Sequence, residues 1–391
     1  MPSLRFSIQA TYRPLANRRP SVEAAYTKHD QSRVRWLPRY LRLVIFAAVV
    51  VSASLLTYSL RPDTHGQVPM DIRMASEHGY ITTLRQQLQP FIWTNDGGNG
   101  TLEEFVMIIP ANKGMLGMAY NLLCSLRRIG SDAVPVIWAL DMEAVRDLAS
   151  YRQRHSLRFG IYHDPNLFSV SSFEAGGSDN YWRMMSQRPN FFLTMLRDTK
   201  LGVLFVDADI VFYSDPWDIM RKSRGADVVI TTDARDFYDL LPDPYEGQPR
   251  VPRICAGLFG VRANQQTVHI YEIMAEQMKA GASNDQFALD WILNYSFNSV
   301  LVPPIPTGLG PPPNPNPDPS LPSLSVQLLS QTTYVNGALY VPHRETEYER
   351  RVQMDGGRRG TIHGNWWWSD KFRDFKNYGL WLLGESEQCL H

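Results

Sequence analysis

Apolar positions along this chain fall into three regimes. Residues 1–42 are polar and basic. Leu43 to Leu60 is apolar all round, with no charged residue over 18 positions. From residue 104 onward, short apolar runs alternate with stretches of helical spacing. Phe105–Ile109 predicts a strand and Pro110–Gly114 a turn. Met115–Ile129 predicts a helix, because Leu116, Ala119, Leu122, Leu123 and Leu126 recur every three or four residues and Gly130 can end it. Strands are predicted over Val134–Leu140, Leu157–Tyr162, Asp227–Thr231 and Ile254–Arg262. Helices are predicted near Met142–Arg152 and Asn190–Asp198. Strand–helix repetition of this kind predicts an α/β fold, with a mixed, mainly parallel sheet covered by helices on both faces. In such sheets ligands gather at the carboxyl ends of the strands.

One strand prediction carries chemistry. Val203–Phe212 reads as a single buried run interrupted by Asp207 and Asp209. Side chains at i and i+2 of a strand share a face, so the two carboxylates are expected to project together. Asp is disfavoured in strands, and two buried like charges are costly without a positive partner. A hard divalent cation with oxygen ligands is the simplest compensator. The alternative is two aspartates at a strand exit, hydrogen-bonded to loop amides.

Composition narrows the class. The 391 residues balance 39 Lys and Arg against 39 Asp and Glu, and no basic excess points to nucleic acid. The run 43–60 is close to the ~20 residues that cross a bilayer as a helix. Arg5, Arg13, Arg18, Arg19, Lys28, Arg33, Arg35, Arg39 and Arg42 precede it, a bias that predicts a cytosolic N-terminus. The expected organisation is therefore a basic tail (1–42), a signal-anchor transmembrane helix (43–60), a polar stem (61–103) and a lumenal body (104–391). A Pro-rich insertion at 303–322 interrupts the body. Cys124, Cys255 and Cys389 allow at most one internal disulfide, and Cys124 and Cys255 also read as core positions. Asn99-Gly-Thr and Asn294-Tyr-Ser are glycosylation sequons, usable only in a lumenal body.

The ordered motifs resemble a known family. They are Arg188-Pro189, then LFVDADIVFYSDP, CAGLFGVRAN, NDQFALDWIL, YVNGALYV and a late His-Gly-Asn with Lys and Trp downstream. Over roughly residues 104–384 the chain resembles the nucleotide-diphospho-sugar transferase domain of glycosyltransferase family 77, and more distantly family 8. The resemblance implies a GT-A type, Rossmann-like fold, a UDP-sugar donor, Mn2+ (or Mg2+) and retention of anomeric configuration. It implies a glycan or glycoprotein acceptor and a Golgi (or ER) membrane location.

Site roles follow from the resemblance, residue by residue. Asp207, Asp209 and His363 are the implied metal ligands. Ala111 and Asn112, after the first strand, are the implied nucleoside contacts; Asn112 also suits a turn. Gly257 is implied where substrate approaches the backbone, and Lys371 near the diphosphate, although a lysine starting a helix is also ordinary surface. Arg188 is expected to meet Asp207 or phosphate, with Arg183 competing. Asp285 and Gln286 are the implied catalytic pair facing the transferred sugar, although Asp285 also suits an N-terminal helix position. Asp215-Pro216 reads as a helix-start device. Trp366, Trp367 and Trp368 are candidates for stacking on acceptor sugars, with core packing the alternative for at least one. Cys255-Ala-Gly257 replaces the family's usual Asn-x-Gly, so one amide that contacts substrate is missing. That departure supports the alternative of a catalytically silent, Golgi binding or scaffold protein.

Overall fold

A computed structural model describes residues 71–72, 80–96, 102–166, 178–223, 225–233, 237, 253–281, 284–295, 298–301, 323–343, 347–354, 356–367 and 370–390. Contacts divide the chain into two compact units, 1–66 and 67–391, and all described residues belong to the second. Among the described residues no helix is long and apolar enough to cross a membrane. The apolar run 43–60, the first sequon and the Pro-rich insertion lie outside them.

Thirteen strands are present among the described residues: β1 (Asp71–Ile72), β2 (Trp93–Asp96), β3 (Leu102–Ala111), β4 (Val136–Ala139), β5 (Gly160–Tyr162), β6 (Gly202–Val206), β7 (Ile210–Phe212), β8 (Val228–Thr232), β9 (Ile254–Val261), β10 (Asn298–Leu301), β11 (Leu324–Leu328), β12 (Tyr334–Asn336) and β13 (Thr361–His363). Ten form one sheet in the order β1-β5-β4-β3-β6-β9-β8-β11-β10, with β2 paired to β3. Pairing is parallel except at β9, which runs antiparallel to β6 and β8, and at β2. The fold is mixed α/β with a mainly parallel central sheet. β7, β13 and β12 form a second, three-stranded sheet.

The central strands are buried on both faces, as their continuous apolar runs require. Phe105, Met107 and Ile109 of β3 point into one core, with Leu122, Leu148, Tyr151 and Phe375 from helices on that face. Val106 and Ile108 point into the other, with Leu88, Phe192, Ile270, Tyr271 and Ile292. Each fully buried large aliphatic contributes roughly 1.5–3 kcal/mol. These two cores hold the strand ends, and so the site, in register.

Two sequence expectations change. The stretch 61–103 was expected to be a stem, but its later part belongs to the body. β1 extends the sheet beyond β5, and Leu84, Leu88 and Phe91 are buried against the sheet. These three apolar residues fall on one face of the helix Tyr80–Leu88 and the short turn after it, a signal diluted by the polar residues between them. Val203–Phe212 is likewise two strands rather than one. β6 ends at Val206, residues 207–209 turn, and β7 enters the second sheet. A paired strand would leave both carboxylates on a packed face; the turn lifts them out at its end.

The cysteines resolve as one pair. Cys124 is buried in its helix, as a core position should be, and is also disulfide-bonded to Cys389, while Cys255 is free and buried. Asp215 accepts from the backbone N–H of Trp217 (3.4 Å) and from Ser131 (3.0 Å), and pairs with Arg221. It serves a turn just before the short helix Asp218–Arg221.

Candidate active site

Strand pairing assembles the site. After β6, the Asp207 N–H donates to the carbonyl of Gly257 on β9 (2.7 Å). β13 pairs antiparallel with β7, placing His363 opposite Ile210, and the Gly364 N–H donates to the Asp209 carbonyl (2.8 Å). The His363 Nε2 therefore lies 3.3 Å from Asp209 Oδ1 and 3.7 Å from Asp207 Oδ2. One donor atom from each of the three residues falls within 4.8 Å of the others. Lys371, at the start of the helix Lys371–Asn377, forms an ion pair with Asp209 Oδ2.

Gly257 is required for this convergence. A Cβ on it would strike the His363 ring and Asp207 Oδ2. The absent side chain leaves the space that His363 and Asp207 occupy.

Electrostatics at the triad are unbalanced. Burial pushes the Asp207 carboxyl above its ordinary range; Arg188 counters this and Asp209 adds to it. Burial would raise Asp209 as well, but Lys371 and then His363 outweigh it and hold that carboxyl low. Burial works against charge on His363, yet Cys255 and Asp209 overcome it and the ring titrates well above the ordinary histidine range. Two carboxylates and one imidazole are the oxygen and nitrogen donors that suit Mn2+, with Mg2+ favoured less by the nitrogen. The donor set, with the Asp209 carboxylate buried and Asp207 partly open to the cavity, fits a divalent cation.

The triad lies in a cavity of about 330 Å³ at the strand ends. Ala111, Asn112, Arg188, Asp285, Gln286, Gly257 and Lys371 all line it. Asn112 is buried and caps the turn Lys113–Met115, accepting from the Met115 N–H (3.1 Å). Its other predicted role, turn former, is thus filled by the same side chain.

Arg188 and Asp285 form a buried pair, Nε to Oδ2 at 3.2 Å, both under 10% exposed. Arg188 also donates to the Ala256 carbonyl (2.5 Å) and lies over the Phe205 ring (4.2 Å). Its direct ion partner is Asp285 rather than Asp207. Arg183 is exposed and absent from the cavity lining. Burial raises the Asp285 carboxyl, with Arg188 opposing. Gln286 accepts from the Ala256 N–H (3.1 Å) and donates to Asp233 (3.3 Å).

Asp233 was missed in the sequence. It follows β8 and is 9% exposed. Besides Gln286 it accepts from Asn365 (2.9 Å) and from the Trp366 indole N–H (2.8 Å). Its carboxyl is raised by burial, with Arg253 foremost among the groups opposing. The available signal was an aspartate closing an apolar strand, the same pattern that singled out Asp207. Tyr181 and Trp182, from the helix Asp179–Met185, also line the cavity and carried no sequence signal.

The tryptophans separate. Trp366 lines the cavity and has φ +67°, a left-handed conformation costing a non-glycine residue about 1–3 kcal/mol. Trp367 packs against Phe375 and Tyr378 in the core, although part of it reaches the cavity. Trp368 lies outside the described residues.

An α/β sheet with paired aspartates in a turn at its strand ends, facing a cavity lined by charged and by apolar and aromatic side chains, fits a nucleotide-sugar-handling enzyme in outline. The pattern of the nucleotide-diphospho-sugar transferase family matches residues 134–362, more than half of the chain, and the chain belongs to that family of glycosyltransferases. The UDP-galactose:fucoside alpha-3-galactosyltransferase of Dictyostelium discoideum is 22% identical over 303 residues, covering 72% of this chain and 43% of that protein. The chain thus spans less than half the length of that curated relative. Among solved structures, mouse xyloside xylosyltransferase 1 in its apo form matches 68% of this chain and 99% of its own, at 13% identity and TM-score 0.40. The galactosyltransferase LgtC, in complex with donor and acceptor sugar analogues, matches 72% of this chain and 98% of its own, at 11% identity and TM-score 0.41.

Proposed function

We propose that this protein is a GT-A type, metal-dependent, retaining glycosyltransferase that moves a sugar from a UDP-sugar to a glycan or glycoprotein acceptor. The observation that carries the reading is the convergence of Asp207, Asp209 and His363 on one point of the cavity, across Gly257. These three residues would hold Mn2+, or Mg2+, which when bound neutralises negative charge on the leaving diphosphate as a Lewis acid.

The chain's own residues supply the rest. Lys371 adds a point charge beside the diphosphate. Ala111 and Asn112 border the nucleoside end. Asp285 and Gln286 line the same cavity and would face the transferred sugar. Because Asp285 is already paired with Arg188, it serves as an electrostatic stabiliser of a cationic sugar centre rather than as an attacking carboxylate. Gln286, fixed between Ala256 and Asp233, orients sugar hydroxyls. The Dictyostelium relative's name makes UDP-galactose the first donor to try.

Two observations support a secretory-pathway location. The apolar run 43–60 behind a basic flank suits a type II, single-pass anchor in the Golgi or ER membrane with the body lumenal. The Cys124–Cys389 disulfide suits an oxidising compartment. The test is UDP release from UDP-galactose, UDP-xylose, UDP-arabinose and UDP-glucose, with Mn2+ and with EDTA. One donor should support turnover that EDTA stops and Asp209→Ala abolishes. Undiminished turnover in EDTA would refute the metal mechanism, and NMR showing an inverted product linkage would refute retention.

A further inference from the structure

We infer that Cys255 is a positioning residue for the metal site: its sulfur accepts the Nδ1–H of His363 and so keeps Nε2 aimed at Asp207 and Asp209. The inference rests on the metal reading above and extends it to Cys255, a residue outside the three candidate ligands.

The geometry is specific. Cys255 Sγ lies 3.5 Å from His363 Nδ1, on the side of the ring away from the two carboxylates. Nε2, on the other side, is 3.3 Å from Asp209 Oδ1. A ring that gives its Nε2 lone pair to a cation must carry its proton on Nδ1, and that N–H needs an acceptor. A ring bound to no cation and protonated on both nitrogens also donates through Nδ1. In both states the donor is Nδ1–H and the sulfur receives it. Cys255 is 3% exposed and His363 4%, so water is a poor substitute acceptor. Sulfur hydrogen bonds are long and weak, and 3.5 Å is within their range.

A second contact ties the sulfur to the sugar-facing wall. Asn365 Nδ2 donates to Cys255 Sγ at 3.5 Å and to Asp233 at 2.9 Å. Cys255 itself is held by the pairing of β9 with β8, where it lies opposite Thr231 at an irregularity of register. The sulfur therefore links the metal ligand to the Asn365–Asp233 pair. Cys124 and Cys389 are joined to each other, which leaves Cys255 as the free thiol.

The experiment uses the full chain and four variants: Cys255→Ser, which keeps an acceptor, Cys255→Val, which removes it at similar volume, Cys255→Ala, and Asp209→Ala. Mn2+ affinity is read by the EPR signal of free Mn2+, and metal-free melting temperatures show whether each variant folds. Loss of an outer partner of a metal-bound histidine weakens metal binding by about 10–100-fold. Cys255→Val and Cys255→Ala are expected to lose that much, and Cys255→Ser to recover most of it. The infrared S–H stretch of Cys255 should shift when Mg2+ is added to the unsubstituted protein, and stay still in Asp209→Ala. A Cys255→Val protein that folds and binds Mn2+ within twofold of the unsubstituted protein overturns the inference. Equal losses for Ser and Val also overturn it, since they would report packing alone. Failure of the unsubstituted protein to bind Mn2+ is a different result: it overturns the metal reading itself, and the role of Cys255 with it.

Discussion

Gly257→Ala adds one methyl group at the centre of the triad, and its effect can be worked out from the structure. The new Cβ would lie closer than 3.0 Å to His363 Cε1 and Nε2 and to Asp207 Oδ2. Ordinary contact begins near 3.4 Å, so at least one ligand must retreat by about 1 Å. Neither is free to do so cheaply. His363 is anchored by strand pairing and by Asp209, and Asp207 by its backbone bond to Gly257. Overpacking of this kind costs about 1–3 kcal/mol of stability. Displacing a ligand by 1 Å costs about 10²-fold in turnover. Gly260→Ala on the same strand is the control for overpacking, because the atoms nearest its Cβ belong to the buried Met220 side chain and not to the triad. Mn2+ titration and UDP release, compared with urea unfolding, should show metal affinity and turnover collapsing in Gly257→Ala alone. If Gly257→Ala keeps both within threefold of the parent, the triad is not the compact cation site described above.

Four further outcomes are expected. Arg188→Met strands the buried Asp285 carboxylate and should cost about 3–5 kcal/mol in urea unfolding, much of it restored by adding Asp285→Asn; no restoration would mean that the pair is not the cause. Cys389→Ser should lower stability by about 2–5 kcal/mol, as should dithiothreitol in the parent, and dithiothreitol should then have no further effect on the variant. Trp366→Phe removes one of the donors to Asp233 and should raise KM for donor or acceptor while Mn2+ affinity holds; a fall in Mn2+ affinity instead would place Trp366 with the triad. Mn2+ at about 100 times its dissociation constant should stabilise the folded protein by about 2.7 kcal/mol, seen as a rise in melting temperature that Asp209→Ala abolishes.

Much of this architecture was legible because burial leaves plain traces. β6, β9 and the Phe105–Ile109 part of β3 are continuous apolar runs, and a strand covered on both faces has no other composition. The aspartates at 207 and 209 stood out because such a run has no place for charge. What was illegible depended on distance. That β7 leaves for a second sheet is decided by β13, whose partner choice no local pattern encodes. Asp233 looked like a strand terminus until Asn365 and Trp366, far along the chain, were seen to converge on it. The Arg188–Asp285 pair was hidden for the same reason: Arg188 was expected to meet Asp207 or phosphate, and Asp285 to face the sugar or to suit a helix N-terminus, and nothing local joins the two. The helix Tyr80–Leu88 was hidden by its composition, since three apolar residues suffice to dock it.

The order in which the chain supplies its site has a temporal consequence. Asp209 and Lys371 are 162 positions apart, and the disulfide closes a separation of 265. A ribosome therefore delivers the aspartates long before the strand with His363 and the helix with Lys371. Until then the turn at 207–209 carries two carboxylates with no β13 beside them and no lysine to balance them. On the metal reading proposed above, the nascent chain lacks one of its three candidate ligands while most of it already exists. The triad is complete only once β13 pairs with β7, near the end of synthesis, and the Cys124–Cys389 bond spans both the turn at 207–209 and that strand.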